Sequence, residues 1–216
     1  MSTVTAVDWG NLTQSRSNTA SASSETYGYT QGGEAPGYGQ PTNDKFPFAS
    51  NAGASDVGDL TQSGNYNGPA GHSSSTHGYT SVGTRMSPHA HDWTIDKFSF
   101  ASGGDSTSVG NLTVKRYSAE GISMETHGYA CGGNTGSQVD TIDYFSFDSD
   151  GDGADWEDLS ATHHGATGTQ TSTHAYLVAG YTDNTRMEKF QFASAVQATD
   201  YADLAVGRNG GSGSQY

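Results

Sequence analysis

Apolar residues in this chain come in short runs that alternate with polar ones, each closed by small or polar residues. The stretch "ETHGYACGG" alternates and ends in glycines, which predicts one strand and a turn. The stretch "DTIDYFSF" puts Ile142, Tyr144 and Ser146 on one face and Asp143, Phe145 and Phe147 on the other. A Gly/Ser/Asp turn follows, then a further short strand, and a stretch such as "VKRYSAEG" completes the unit. No stretch of a dozen residues carries a helical apolar period, so no helix is predicted.

These elements recur. Thr-His/Tyr-Gly/Ala-Tyr occurs at Thr26–Tyr29, Thr76–Tyr79, Thr126–Tyr129 and Thr173–Tyr176. An acidic-x-Phe-x-Phe phrase occurs at Asp44–Phe48, Asp96–Phe100, Asp143–Phe147 and Glu188–Phe192. A bulky residue followed three places later by Leu occurs five times, at Trp9–Leu12, Val57–Leu60, Val109–Leu112, Trp156–Leu159 and Tyr201–Leu204. Successive leucines lie 48, 52, 47 and 45 residues apart. About four strands in a unit of roughly 45–50 residues is the signature of a propeller blade.

Composition narrows the class. Hydrophobic residues make up 32% of the 216, and glycine reaches 30, a balance that on its own leans toward disorder. The 12 Tyr, 8 Phe and 3 Trp oppose that, because disordered segments are poor in aromatics. Net charge is −14 with nine Lys plus Arg, which argues against nucleic acid and against anionic membranes as partners. The charge favours solubility, and a salty medium accounts for it equally well. Cys131 is the only cysteine, so no intrachain disulfide is expected; in its strand-like run the thiol reads as a small buried hydrophobe. The start, "MSTVTAVDWG", lacks the basic region and apolar core of a secretory signal, and no apolar stretch approaches 18 residues, so folding in a cytoplasm is expected.

The repeat resembles kelch units, which carry a Gly doublet after an apolar strand, an aromatic strand, then Trp, Leu and Arg at set spacing. The doublets are Gly32–Gly33 and Gly132–Gly133, softened to Val82–Gly83 and Ala179–Gly180. The Trp-x-x-Leu-x-x-x-Arg pattern is complete in Trp9, Leu12 and Arg16, and keeps its Leu and Arg in Leu112, Arg116 and in Leu204, Arg208. Gly64 and His163 stand at the Arg place in the other two copies. The wording "IDKFSFASGGDSTSVGNLTV", followed by "STHGY" or "ETHGY" in the repeats, is also similar to kelch-like repeat virion proteins of marine bacteriophages. The resemblance implies an all-β kelch-like β-propeller of four repeats (units 13–60, 61–112, 113–159 and 160–204) with orphan strands in 1–12 and 205–216. A small closed propeller sealed by those terminal strands is expected; an open blade array and a ring completed by a second copy are the alternatives.

Candidate chemistry is sparse. His77, His127 and His174 occupy equivalent places in three repeats, with Tyr27 in the fourth, so their role is read as architectural. His89 and His91 in "SPHAHDW" lie in the longest unit, as an inserted loop, with Trp93 beside them. His163 and His164 are read as surface residues. Asp148, Asp150 and Asp152 imitate the first half of an oxygen-ligand calcium loop, with Asp155 close by, but the second half fails, because Leu159 stands where the closing Glu belongs. No nucleophile elbow or phosphate loop is present. Some kelch-type propellers, such as galactose oxidase, are copper enzymes with a Tyr–Cys crosslink. Cys131 with Tyr129 or Tyr144 would be the counterpart, yet such enzymes are far longer, so no cofactor is expected beyond the calcium candidate.

The expectation is therefore a non-enzymatic virion structural protein on the particle exterior, a capsid decoration or tail-associated propeller. Its expected partners are other virion proteins, further copies of itself and a host surface glycan. A glycan- or receptor-binding propeller anchored by Trp93, and a cytoplasmic scaffold that holds a peptide in its central depression, are the alternatives.

Overall fold

The computed structural model describes residues 6–36, 38–62, 68–86, 89–181 and 183–208, with Tyr38, Arg85, Met86, His89 and Ala90 described by their backbone. All of its regular structure is β. Blade 1 holds β1 (Ala20–Ser23), β2 (Tyr27–Gln31), a small hairpin of β3 (Glu34–Ala35) and β4 (Tyr38–Gly39), then β5 (Thr42–Pro47) and β6 (Ser55–Asp59). Blade 2 holds β7 (Ala70–Ser73), β8 (His77–Ser81), β9 (Gly83–Met86), β10 (His89–Ser99) and β11 (Thr107–Arg116). Blade 3 holds β12 (Glu120–Ser123), β13 (His127–Cys131), β14 (Val139–Ser146) and β15 (Ala154–His163). Blade 4 holds β16 (Thr167–Gln170), β17 (His174–Val178), β18 (Arg186–Gln191) and β19 (Thr199–Asp203).

Each blade is an antiparallel meander whose four main strands follow chain order from inner to outer, as the repeat predicts, giving a four-blade, propeller-like architecture. The supposed loop around His89 and His91 is strand instead, because β10 extends back to pair with β9, Ala90 opposite Arg85 and His91 opposite Thr84. The residue after each glutamine, serine, cysteine or valine that ends the second strand is left-handed: Gly32, Val82, Gly132 and Ala179 have φ of 59, 56, 62 and 61°. That shared backbone explains the Gly doublet, and Val82 and Ala179 adopt it against their own sterics.

The inner strands β1, β7, β12 and β16 pack side by side in that order. Their approach is close enough to require glycine: a Cβ on Gly71 would stand 2.1 Å from the Ser21 carbonyl oxygen, and one on Gly121 would stand 2.3 Å from the Gly71 carbonyl oxygen. A hydrogen-bond chain ties their ends together. Ser23 N–H donates to Ser73 Oγ (2.9 Å), Ser73 N–H to Ser123 Oγ (3.0 Å) and Ser123 N–H to Gln170 Oε1 (3.1 Å). Among the described residues close inner-strand packing joins β1 to β7, β7 to β12 and β12 to β16, and none of that extent joins β16 to β1. The terminal strand expected in 205–216 falls largely on residues 209–216, outside the described residues.

Apolar packing lies between the blades. Ile122, Tyr129, Ile142 and Leu159 of blade 3 form one core with Leu177, Phe190 and Phe192 of blade 4. Tyr79, Ile95 and Leu112 of blade 2 form another with Ala130 and Phe145 of blade 3. Cys131 is buried in the first, and burial pushes its thiol pKa up.

Candidate functional site: the blade joints and the axial cavity

The three repeated phrases meet at each joint. Tyr29 of blade 1 packs on Phe98 and Phe100 of blade 2, with ring centroids 5.2 and 4.8 Å away. Tyr79 does the same on Phe145 and Phe147 (5.7 and 4.7 Å), and Tyr129 on Phe190 and Phe192 (5.8 and 5.1 Å). In three blades the first Phe also lies over the glycine of its own second strand, Phe46 on Gly28, Phe98 on Gly78 and Phe145 on Gly128, where a Cβ would collide with the ring; blade 4 has Ala175 at this place. The Gly-Tyr order thus serves two contacts, a bare surface for the blade's own Phe and a ring for the next blade's pair.

The acidic residue of the Phe phrase carries a polar latch. In every blade the pairing of the third with the outer strand slips at this residue, between Thr42 and Asp44, Ile95 and Asp96, Ile142 and Asp143, and Met187 and Glu188. A bulge re-aims a side chain, and here the re-aimed carboxylate meets the segment that precedes its blade. Asp143 accepts from the Thr113 N–H (3.2 Å) and from Thr113 Oγ (2.5 Å), and Asp96 accepts from the Thr61 N–H (2.9 Å) and Oγ (2.6 Å). Asp44 accepts from the Thr13 N–H (3.0 Å) and Oγ (2.5 Å), and Glu188 accepts from the Ser160 hydroxyl. The Arg of the Leu phrase completes the latch. Arg116 and Asp143 pair at 2.9 Å, as do Arg16 and Asp44, with all four side chains 0% exposed. Arg116 also donates to the Ala130 carbonyl (2.9 Å), and Arg16 to the Thr42 (2.7 Å) and Thr30 (3.1 Å) carbonyls.

His163 fills the Arg place in blade 4's latch. It is buried, not on the surface as its sequence context indicated, and its Nε2 stands 3.6 Å from Glu188 Oε2. The shorter imidazole is matched by a longer acid, Glu in place of Asp. His164 stacks on Tyr181 at 4.8 Å. Gly64, at the Arg place before blade 2, lies outside the described residues.

A cavity of about 590 Å³ opens on the axial side of the inner strands. Hydroxyls of Ser21, Ser73, Ser123 and Thr169 line it, with the Glu120 carboxyl and, from the front of blade 1, the rings of Phe46 and Phe48. Burial pushes Glu120 up to about 7, against the Gly168 N–H, which pulls it down. Next to it is His72, whose Nδ1–H donates to the Ile122 carbonyl (3.2 Å) while its Nε2 accepts from Ser81 Oγ (2.8 Å). Both contacts suit the neutral ring, and burial lowers its pKa to about 4 despite the Ile122 bond.

The two groups give opposite pH slopes. The folded state holds the Glu120 proton more tightly than the unfolded chain does, so this group costs stability as pH rises from 4.5 to about 7. The unfolded state takes the His72 proton more readily, so stability falls as pH drops from 6.5 to about 4. Glu120→Gln is expected to raise stability at pH 8 by about 1–3 kcal/mol, discounted for partial exposure, and to leave it nearly unchanged at pH 4. Urea denaturation at the two pH values checks this; equal shifts at both would refute it.

The remaining candidates sit apart. His77, His127 and His174 each bond their Nδ1 to the preceding threonine hydroxyl, at 2.8, 2.8 and 2.9 Å. His91 lies against Tyr117 at 4.9 Å, its Nδ1 3.4 Å from Thr84 Oγ, while the His89 side chain is outside the described residues. Trp93 packs on the core shared by blades 2 and 3, with Lys115 Nζ 4.7 Å over its ring. Asp148, Asp150, Asp152 and Asp155 do not form an oxygen cage. Asp150 binds Lys97 (2.8 Å) and Asp152 accepts from the Asn111 N–H (2.9 Å), so two of these carboxylates are engaged across the joint with blade 2. Among the described residues no three His, Cys, Asp or Glu side chains are grouped to hold a metal ion. Among the same residues no helix is long and apolar enough to cross a membrane.

Sequence reasoning found the Leu-x-x-x-Arg phrase and the acid phrase but not that they meet. The signal was a Thr or Ser after four of the five leucines, Thr13, Thr61, Thr113 and Ser160, each paired with one acid per repeat. Compared with protein-family models and with curated proteins, the chain matches none.

Proposed function

We propose that the chain is a kelch-like, non-enzymatic structural module of a virus particle, a decoration of the capsid or tail surface. The observation that carries the reading is the joint. The three joints share the same aromatic seal, and the bulged acid clasps the preceding segment in all four blades, an arrangement suited to rigidity. The acidic composition, net charge −14, fits an exposed and mutually repelling exterior. The phrase-level resemblance to marine phage virion proteins supplies the setting. Mass spectrometry of purified particles should find the chain at many copies per particle; its presence in host lysate alone would remove the idea.

A second reading is favoured by the axial cavity. Phe46 and Phe48 beside serine and threonine hydroxyls and the Glu120 carboxyl offer a stacking face and hydrogen bonds to a sugar ring. A glycan array with wild-type protein and Phe48→Ala tests it. Binding lost in the variant would add host attachment to the structural role.

A further inference from the structure

Blades 1 and 4, the first and last in the row of inner strands, carry the halves of a fourth joint. At the front, Phe46 and Phe48 lie 6.0 Å apart in the arrangement of the other Phe pairs. Among the described residues no ring from a preceding blade covers them: Phe48 is 49% exposed, whereas Phe192 is 7% exposed. An apolar pocket of about 220 Å³ lies between Phe46, Trp9 and Leu12. In blade 3 the equivalents of Trp9 and Leu12 are Trp156 and Leu159, and the tyrosine that packs against Trp156, at 5.6 Å, is Tyr129. At the back, Tyr176 has its own blade's Tyr201 at 5.9 Å, as Tyr129 has Trp156, while Tyr201 is 55% exposed. Arg208, at the latch position, is exposed.

The front latch is already filled, by the chain itself. Residues Trp9–Arg16 form no strand, so the orphan strand expected in 1–12 is absent from its described residues, but they take the place along blade 1 that the outer-strand phrase of a preceding blade would take. The Asn11 carbonyl accepts from the Ala54 N–H (2.8 Å), as Asp59 does from Ser106 (2.7 Å), Asn111 from Gly153 (2.8 Å) and Asp158 from Ala198 (2.9 Å). Thr13 and Arg16 then hold Asp44. The competing phrase at the back, Tyr201–Arg208, has Ala205 in place of that threonine and so offers one hydrogen bond fewer. Ser21 points the same way: it stands where Gly71 and Gly121 allow the preceding inner strand to approach.

We propose that Trp9–Arg16 is a cap that mimics a blade's outer strand, and that the surface it guards docks a second copy of this chain. In that contact Tyr176 packs on Phe46 and Phe48, and Arg208 takes over Asp44. The occupant is argued from the three internal joints, which already show this tyrosine, this Phe pair and this latch fitting together. The inference does not rest on the virion reading, since purified protein alone tests it.

Sedimentation velocity over a concentration series reads the result. The wild-type chain is expected to run as one copy. The full chain carrying Leu12→Asp and Ser21→Gly, which loosens the cap and opens the approach, is expected to rise to two or more copies with concentration. Adding Tyr176→Asp should return it to one. Thr13→Ala with Ser21→Gly is the milder form, for use if circular dichroism shows Leu12→Asp unfolded, and the same rise is expected of it. A folded, loosened chain that stays at one copy overturns the proposal. So do oligomers that Tyr176→Asp leaves intact, and wild-type oligomers, which would show that nothing is capped.

Discussion

Arg116→Ala is expected to cost about 3–5 kcal/mol of unfolding free energy. The guanidinium is fully buried, 2.9 Å from Asp143 and 2.9 Å from the Ala130 carbonyl. Without it Asp143 keeps Thr113 but is left out of water with no cation, and the Ala130 carbonyl loses a donor. The loss belongs to the unpaired charge more than to the bond, so removing both partners tells the two apart. Arg116→Met with Asp143→Leu is expected to recover most of the stability, since apolar groups of similar volume need no desolvation. Urea titrations of the three proteins measure both numbers. A single variant within about 1 kcal/mol of wild type would show that the latch contributes little and that the aromatic seal carries the joint.

Tyr129→Ala should cost about 3–5 kcal/mol, while Tyr176→Ala should cost about 1 kcal/mol or less. The two tyrosines occupy the same place in blades 3 and 4, in register with Tyr144 and Lys189 respectively. Their surroundings set them apart. Tyr129 is buried against Phe190, Phe192 and Trp156, so truncation leaves a cavity in the core that joins two blades. Tyr176 is half-buried and packs on Tyr201 at a face that no later blade covers among the described residues. Similar losses at both sites would mean that the tyrosine acts within its blade, and the reading of the joints would fall. Thermal melts give a second view, because a core loss of this size lowers the midpoint by roughly 10 °C in a chain of this length.

The Tyr strand, the Phe strand and the glycine turns were legible because they depend on local pattern, whereas "VKRYSAEG", read as completing the unit, spans the end of β11 and the start of β12. Alternation assigns faces, glycine admits the left-handed residue after the second strand, and repetition multiplies the signal. The roles of single residues were less legible. His163 read as surface because two adjacent histidines in a polar stretch have no apolar period around them; its burial comes from Glu188 of the next blade, 25 residues away in the chain. Asp150 and Asp152 imitate half of a calcium loop because their spacing suits one, yet Lys97 and the Asn111 amide reach them from another blade. Such partners lie beyond any local window, and an acid looks the same whether it faces a cation, a backbone amide or water.

The sequence by itself determined the repeating unit: about four strands, a Gly-Tyr or Ala-Tyr strand, a Phe-x-Phe strand and a Leu phrase after the turn, since each depends on residues close along the chain. Only the tertiary structure decided that these phrases belong to joints rather than to single blades. A bulge at Asp44, Asp96, Asp143 and Glu188 turns each acid toward the preceding segment, and the first such segment, Trp9–Arg16, closes over the front of blade 1. The physical reason is that a buried charge must find its partner wherever packing brings one, and that choice is made between sheets, where sequence distance carries no information.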